Sequence, residues 1–350
     1  MKKTLLLTTA LIGTLSVLGT ANAEIKIGGG VKTAWKSAES ITATGPATNG
    51  FSQERQIDFS STGTLNNGLK YAAGFSMEQD GAATGAFDGG EGNFVNVTSG
   101  STTIELGNDH APLNGDYNIV PRAGNAMNEE IGSHGTLKYS QGKGTIKENM
   151  GVSVSQKFTG GAITVNFVPK VGIDSLDGSG TNAVKANTAD TSVAADTGKS
   201  AFELSYAGQP MPGLDLYVNY VDASNKDGSS ATNQDAKTTG VGFAYSMGAI
   251  KFGVEKVNMD NFNKTETDTL EYGVVFKMSD NATVGIGHTT TEGKTNAGAD
   301  EAAKEKINYL QVGYNLGAIG TQLSYIDADN LGYVATRDSK VLVLKVNTKF

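Results

Sequence analysis

A two-residue alternation of apolar and polar side chains, repeated from one end of the sequence to the other, restricts this chain more than any other feature. In the last segment Leu342, Leu344, Val346, Thr348 and Phe350 share one face, while Lys345, Asn347 and Lys349 share the other with Val341 and Val343. Successive side chains of a β-strand point to opposite faces, so this period predicts strands with one greasy and one wet side. Ile25, Ile27, Val31 and Trp35 likewise oppose Lys26, Lys32 and Lys36. Leu69, Tyr71, Ala73, Phe75 and Met77 oppose Lys70, Ser76 and Glu78, and Leu214, Leu216, Val218 and Tyr220 oppose Asp215 and Asn219. Leu270, Tyr272, Val274, Phe276 and Met278 oppose Glu271 and Lys277.

Such a pattern suits both a soluble sandwich with its apolar face inward and a membrane barrel with its apolar face outward. The connectors separate the two. Short links fall near Gly63–Asn67, Ser99–Ser101, Thr159-Gly160, Gly208–Pro212, Gly248, Ser279-Asp280 and Gly317-Ala318. Between them lie long segments, near Ser37–Gly50, Asp80–Glu91, Asn108–Lys147, Lys170–Lys199, Asp222–Lys237, Asp260–Glu266, Glu292–Lys304 and Asp329–Asp338. Seven turns alternating with eight loops predict an all-β, 16-stranded antiparallel transmembrane β-barrel, an even count as closure requires. Thr136–Tyr139 looks locally like a further strand, but counting it would break the alternation of short and long links, so it is assigned to the third loop.

Composition agrees once the outward face is considered. The chain has 46 Gly, 6 Pro and no Cys, so strands joined by Gly-rich turns fit, and disulfide and zinc-thiolate chemistry are excluded. Its mean hydropathy is negative; a barrel keeps that value polar because only alternate residues meet lipid. At the N-terminus Lys2 and Lys3 precede an apolar stretch from Leu5 to Gly19 and a small-residue site Ala21-Asn22-Ala23. This predicts a cleaved signal peptide over 1–23 and one barrel domain over 24–350, since a spanning helix needs about 20 apolar residues. A formal charge of −8, or about −10 without the two leader lysines, argues against nucleic acid as a partner. Phe350, an aromatic end to an amphipathic strand, resembles the signal that outer-membrane assembly machinery recognises.

Four local patterns, in order, carry a family resemblance: the opening strand Glu24–Trp35; Thr62-Gly63-Thr64-Leu65-Asn66-Asn67-Gly68-Leu69; Ile104-Glu105-Leu106-Gly107-Asn108; and Lys157-Phe158-Thr159-Gly160-Gly161-Ala162-Ile163 leading to Phe167-Val168-Pro169-Lys170. With these the chain resembles the Gram-negative general porins, especially the alphaproteobacterial type. The resemblance implies a homotrimer in the outer membrane, in contact with lipid and lipopolysaccharide, passing small hydrophilic solutes and ions by passive diffusion. It also implies a third loop folded into the lumen, narrowing the pore. On that loop the candidates are Asp109, Asp116, Glu129 and Glu130 with Arg122, Lys138, Lys143 and Lys147, whose charges cancel.

A narrow polar channel favours counterions of whichever charge lines it. The wet strand faces offer Lys26, Lys32, Lys70, Lys157, Lys277 and Lys345, and also Glu54, Asp58, Glu78, Glu203, Asp215 and Glu271. Many porins set an arginine cluster against an acidic third loop, but this chain has only Arg55, Arg122 and Arg337. Arg55 falls on the outward phase with Ile57 and Phe59, so either it snorkels near the rim or a bulge shifts the phase.

Other chemistry is weakly signalled. His110, His134 and His288 lack metal-site spacing. His288 shares the outward phase of Val284 and Ile286, which suits an interfacial belt better than an exterior hydrolase. Gly28–Thr33 lacks the glycine before the lysine of a phosphate loop, and Gly89–Asn93 is a single imperfect calcium repeat. No cofactor is expected, apart from a divalent cation that Asp327, Asp329 and Asp338 could bind at the outer rim. The alternatives to an open pore are a barrel plugged by Asn108–Lys147, serving as a surface structural or adhesive protein through Lys170–Lys199, and an exported soluble β-protein.

Overall fold

The computed structural model describes residues 24–40, 49–80, 88–107, 119–123, 151–168, 201–222, 237–260, 266–294, 301, 303–335 and 337–350. Residues 1–23, expected to be a leader, and most of the third and fourth loops, with Thr136–Tyr139, lie outside the described residues. Sixteen strands form the wall. They are β1 (Glu24–Ser40), β2 (Gly50–Thr64), β3 (Lys70–Asp80), β4 (Asp88–Ser99), β5 (Thr102–Gly107), β6 (Gly151–Phe158), β7 (Gly161–Val168) and β8 (Ala201–Met211). There follow β9 (Leu214–Asp222), β10 (Lys237–Met247), β11 (Ile250–Asp260), β12 (Glu266–Lys277), β13 (Ala282–Lys294), β14 (Glu305–Asn315), β15 (Ile319–Asp329) and β16 (Ser339–Lys349).

Each strand pairs antiparallel with its chain neighbours, and β1 pairs with β16 to close the barrel. Closure satisfies every edge, the condition a sheet must meet to stand in hydrocarbon. The seam ends where Gly29 N–H donates to Phe350 O and Phe350 N–H to Gly29 O, both at 3.1 Å. The ring of Phe350 lies over Gly29 on the outward side, close enough that a Cβ at Gly29 would sit 3.0 Å from it. The short turns need left-handed backbone where two strands reverse, as at Gly160 (φ 93°) and Gly317 (φ 81°), and glycine adopts it without a Cβ clash.

The alternation resolves into two faces. Phe243, Phe252, Leu270, Tyr272, Val274, Leu310, Val312, Leu323, Leu342 and Leu344 point outward and are exposed. Their sequence neighbours point inward, and among the described residues apolar side chains form separate patches inside the barrel. One joins Ile307, Tyr309, Ile326, Ala328, Leu331, Val341 and Val343. Another joins Ile119 and Val120 to Tyr217 and Ala244. Pairing of β2 with β1 and β3 runs without a register shift across Arg55, which therefore keeps the outward phase with no bulge. There its guanidinium donates to Gln53 Oε1, at 3.1 Å from Nε and 2.6 Å from Nη2, and to Gln79 Oε1 at 3.1 Å.

Candidate functional site: the inner wall and the segment that crosses it

Five adjacent strands each place a glycine on the inward face where residues 119–123 cross them. A Cβ at Gly242 of β10 would strike Ile119 Cγ2; one at Gly253 of β11 would lie 2.7 Å from Pro121 Cδ. On β12 a Cβ at Gly273 would come within 3.0 Å of Val120 and 3.1 Å of Pro121 O, and on β13 one at Gly285 within 3.0 Å of Ala123 N. On β14 a Cβ at Gly313 would collide with Ala123 O. Glycine weakens a strand interior, so this alignment has its physical reason in the close approach of a second stretch of backbone.

Arg122 fastens the segment. Its guanidinium donates through Nε (3.0 Å) and Nη2 to the same oxygen, Oε1, of Glu271 on β12. Its Cζ lies 5.7 Å from the Tyr309 ring centroid, and the Tyr309 hydroxyl donates to Glu271 Oε1 at 3.4 Å. Both charged side chains are only 1% exposed. Pro121, next to Arg122, holds its own φ near −65° and so stiffens the backbone that delivers the guanidinium.

Arg122, alone among the third-loop candidates, lies within the described residues; Asp109, Asp116, Glu129 and Glu130 lie outside them. The wall lysines spread along the barrel axis. Lys70 opens β3, while Lys157 and Lys277 stand beside short turns, and Lys277 pairs with turn residue Asp280 at 2.8 Å. That contact, through its hydrogen bond and then its charge, holds the exposed Asp280 carboxyl below its usual range. Lys26 pairs with Glu24 at 3.5 Å near the start of β1. Lys32 pairs with Glu54 across β1 and β2, and Lys345 faces inward opposite Gln322. Asp215 is taken by Lys251 at 2.7 Å.

Besides Glu203 and Glu271, the buried inward face holds Glu255 and Glu305, which the sequence reading missed. Neither oxygen of Glu203 or of Glu255 has a hydrogen-bond partner among the described residues. Arg122, the cation on this part of the wall, is already engaged by Glu271.

On the outer rim, Asp327 stands opposite Asn308 and Lys340, and Asp329 opposite Lys306. Asp338 accepts the backbone N–H of Asn330 at 3.1 Å. The three aspartates expected to bind a divalent ion are thus dispersed and two of them face lysines; among the described residues no group of three His, Asp or Glu could hold a metal. Outward ion pairs that the alternation did not predict lie at the same end: Lys256–Asp268 and Lys294–Glu266 at 3.0 Å, and Lys304–Glu292 at 2.5 Å. His288 is outward too, within 2.7 Å of both Asn308 and Thr290.

A family model described as Gram-negative porin matches residues 8–343. The chain belongs to the Gram-negative porin family. Solved structures agree on the fold: a mutant of Rhodopseudomonas blastica porin is similar at TM-score 0.63 and 12% identity, covering 93% of this chain and 100% of that one. OmpT of Vibrio cholerae, an outer membrane protein solved in a trimer form, is similar at TM-score 0.62 and 15% identity, covering 94% and 99%. No sequence among the curated proteins matches this porin. The exposed apolar girdle is accordingly its outer-membrane surface.

Proposed function

We propose that this porin is a passive, water-filled channel for small hydrophilic solutes and ions, narrowed where residues 119–123 cross the inner wall. The observation that carries the reading is the glycine track with its Arg122–Glu271 fastening, which holds a loop segment inside the barrel. The pore prefers cations. Glu203, Glu255 and Glu271 lie on the buried inward wall, where Arg122 pairs with Glu271, and Lys32 is already matched by Glu54. In a constricted, weakly screened channel such an excess raises the local counterion concentration. Single channels in a planar bilayer test this directly: steady ohmic conductance with a reversal potential of cationic sign in a salt gradient is expected. A closed barrel would favour the plugged-surface reading, and an anionic reversal potential would reject the charge assignment.

The working unit is a homotrimer that meets its copies through the outward face of β1–β3. Among its exposed apolar residues Ile25, Ile27, Phe51 and Phe75, this face also carries Gly29, Thr33, Ser37, Ser61 and the Arg55–Gln53–Gln79 cluster. A charge facing acyl chains costs about 2–4 kcal/mol at the bilayer midplane, so this sector suits a protein neighbour better than lipid. SDS-resistant oligomers that separate on heating are expected. The outward lysines of the rim, Lys256, Lys294 and Lys304, suit the phosphates of lipopolysaccharide, and the exposed Phe350 suits recognition by the barrel assembly machinery.

A further inference from the structure

We propose that a cleft on the inner wall, beside the crossing segment 119–123, is a subsite for a neutral polyhydroxylated solute of monosaccharide size, an inference that rests on the channel reading above. The cleft has a volume of about 490 Å³ and lies across β13, β14, β15 and β16, at the end of the short turns. This is the periplasmic end of such a barrel. Register brings its polar side chains to one place. Asn315 of β14 stands opposite Gly320 of β15, and Gly320 opposite Asn347 of β16. A Cβ at Gly320 would strike Asn347 Oδ1, so the Asn347 carboxamide lies over bare backbone on the side toward Asn315. Two residues along β14, Gly313 pairs with Thr283 of β13, and a Cβ there would come within 2.9 Å of the Thr283 hydroxyl and strike Ala123 O. Ala123 therefore bounds the cleft on the side of the crossing segment. The Asn315 N–H donates to Asn281 O at 2.8 Å, which ties the turn between β12 and β13 to the same wall.

Water and solutes reach these groups. Asn281, Asn315 and Lys349 are exposed, and Thr283 and Asn347 are half-buried. The side chains of Asn281, Thr283, Asn315 and Asn347 make no hydrogen bond to another described residue, so their donors and acceptors are available to a ligand. Their chemistry selects it. A carboxamide sets an acceptor beside two donors, and a hydroxyl both donates and accepts. Two hydroxyls on adjacent carbons therefore meet a carboxamide with two hydrogen bonds, and three carboxamides with one hydroxyl suit a ring that carries several. Charge argues for a neutral solute. The charged residues of the lining, Asp280 and Lys349, have opposite signs, and Asp280 is held by Lys277 at 2.8 Å. Lys349 stands in water, where an exposed charge is screened and adds little to the binding of an anion. One carboxylate is too few for a divalent cation, which takes about six or more oxygens. The volume falls within the range of small-ligand pockets, about 300–1,000 Å³.

Single channels in KCl, titrated with D-glucose and separately with poly(ethylene glycol) of equal hydrodynamic size, test the subsite. Ether oxygens accept hydrogen bonds and donate none, so the polymer reports obstruction alone. Glucose should reduce the potassium current saturably and at lower concentration than the polymer. The double variant Asn315→Ala/Asn347→Ala should raise the half-blocking concentration of glucose about tenfold, as loss of two neutral hydrogen bonds implies. D-glucuronate, the same ring with a carboxylate, should block no more strongly than glucose. Steady potassium conductance with identical block by glucose and polymer, or with block unchanged in the double variant, overturns the subsite and leaves the channel standing. Stronger block by glucuronate overturns the neutral class of solute. Absence of potassium current rejects the channel reading instead. The subsite is then decided by saturation-transfer NMR with D-glucose on the full chain in a detergent free of sugar groups, where equal signal from the wild type and from the heat-modifiable, folded double variant overturns it.

Discussion

Replacing Arg122 by methionine keeps most of its volume and removes the charge that holds residues 119–123 to the wall. Arg122 and Glu271 are both 1% exposed, so the loss strands a buried carboxylate with Glu255 on the neighbouring strand. Breaking a buried pair by deleting one partner costs about 3–5 kcal/mol, which weakens the hold on the segment by roughly two to three and a half powers of ten. Conductance of single Arg122→Met channels should become noisy, with excursions above the wild-type level as the segment leaves the glycine track. The double variant Arg122→Met/Glu271→Met should recover quiet openings, because apolar side chains of similar volume replace a buried pair at little net cost. Arg122→Met channels as quiet as wild type, at the same conductance and with the same thermal midpoint, would refute the claim that this pair fixes the pore.

Gly273→Val drives a branched side chain into Val120 and the Pro121 carbonyl, and should destabilise the folded barrel by about 1–3 kcal/mol, read as a lower temperature of heat-modified gel migration. Arg55→Leu should lower the temperature at which SDS-resistant trimers separate, since it leaves Gln53 and Gln79 without their donor; a rise would mean that this face meets lipid. Tyr333 is buried with its hydroxyl unpartnered among the described residues, so Tyr333→Phe should leave stability unchanged or raise it by up to about 1 kcal/mol in thermal melts. Burial first, then the charges of Glu305 and Glu301, pushes that hydroxyl above the usual tyrosine range. The folded state thus keeps a proton that the unfolded state releases, and stability falls as pH rises through the alkaline range above the unfolded tyrosine value. Tyr333→Phe should remove that part of the fall.

The strands were legible because lipid outside and water inside impose a period of two, which Leu270, Tyr272, Val274 and Phe276 keep on the outward face of β12. Inside the barrel the rule relaxes. Val257 points inward and Lys256 outward on β11, so Glu255 had no clean phase to announce it. Tyr309 likewise turns an aromatic ring into the interior, where it lies against the Arg122 guanidinium. The glycine track was invisible for another reason: each glycine alone reads as a weak spot in a strand, and only the register of five strands shows that they line one path. Arg55 shows the converse. Its outward phase was read from Ile57 and Phe59, but its partner Gln79 depends on the pairing of β2 with β3, while Gln53 stands two residues away on β2 itself.

The hydrogen bonds that join Gly29 to Phe350 also constrain how the molecule comes to exist. They tie the first strand to the last residue, so the most distant pairing in the sequence is also the one that removes both open edges. Hairpins such as β12–β13 need only local encounters, whereas the seam carries the entropy of a loop nearly as long as the chain. A ribosome-bound or C-terminally truncated chain therefore holds two raw strand edges, each a template for aggregation, however well its hairpins have formed. Protection of both edges of this barrel thus hangs on the one strand pairing that spans the greatest separation in sequence.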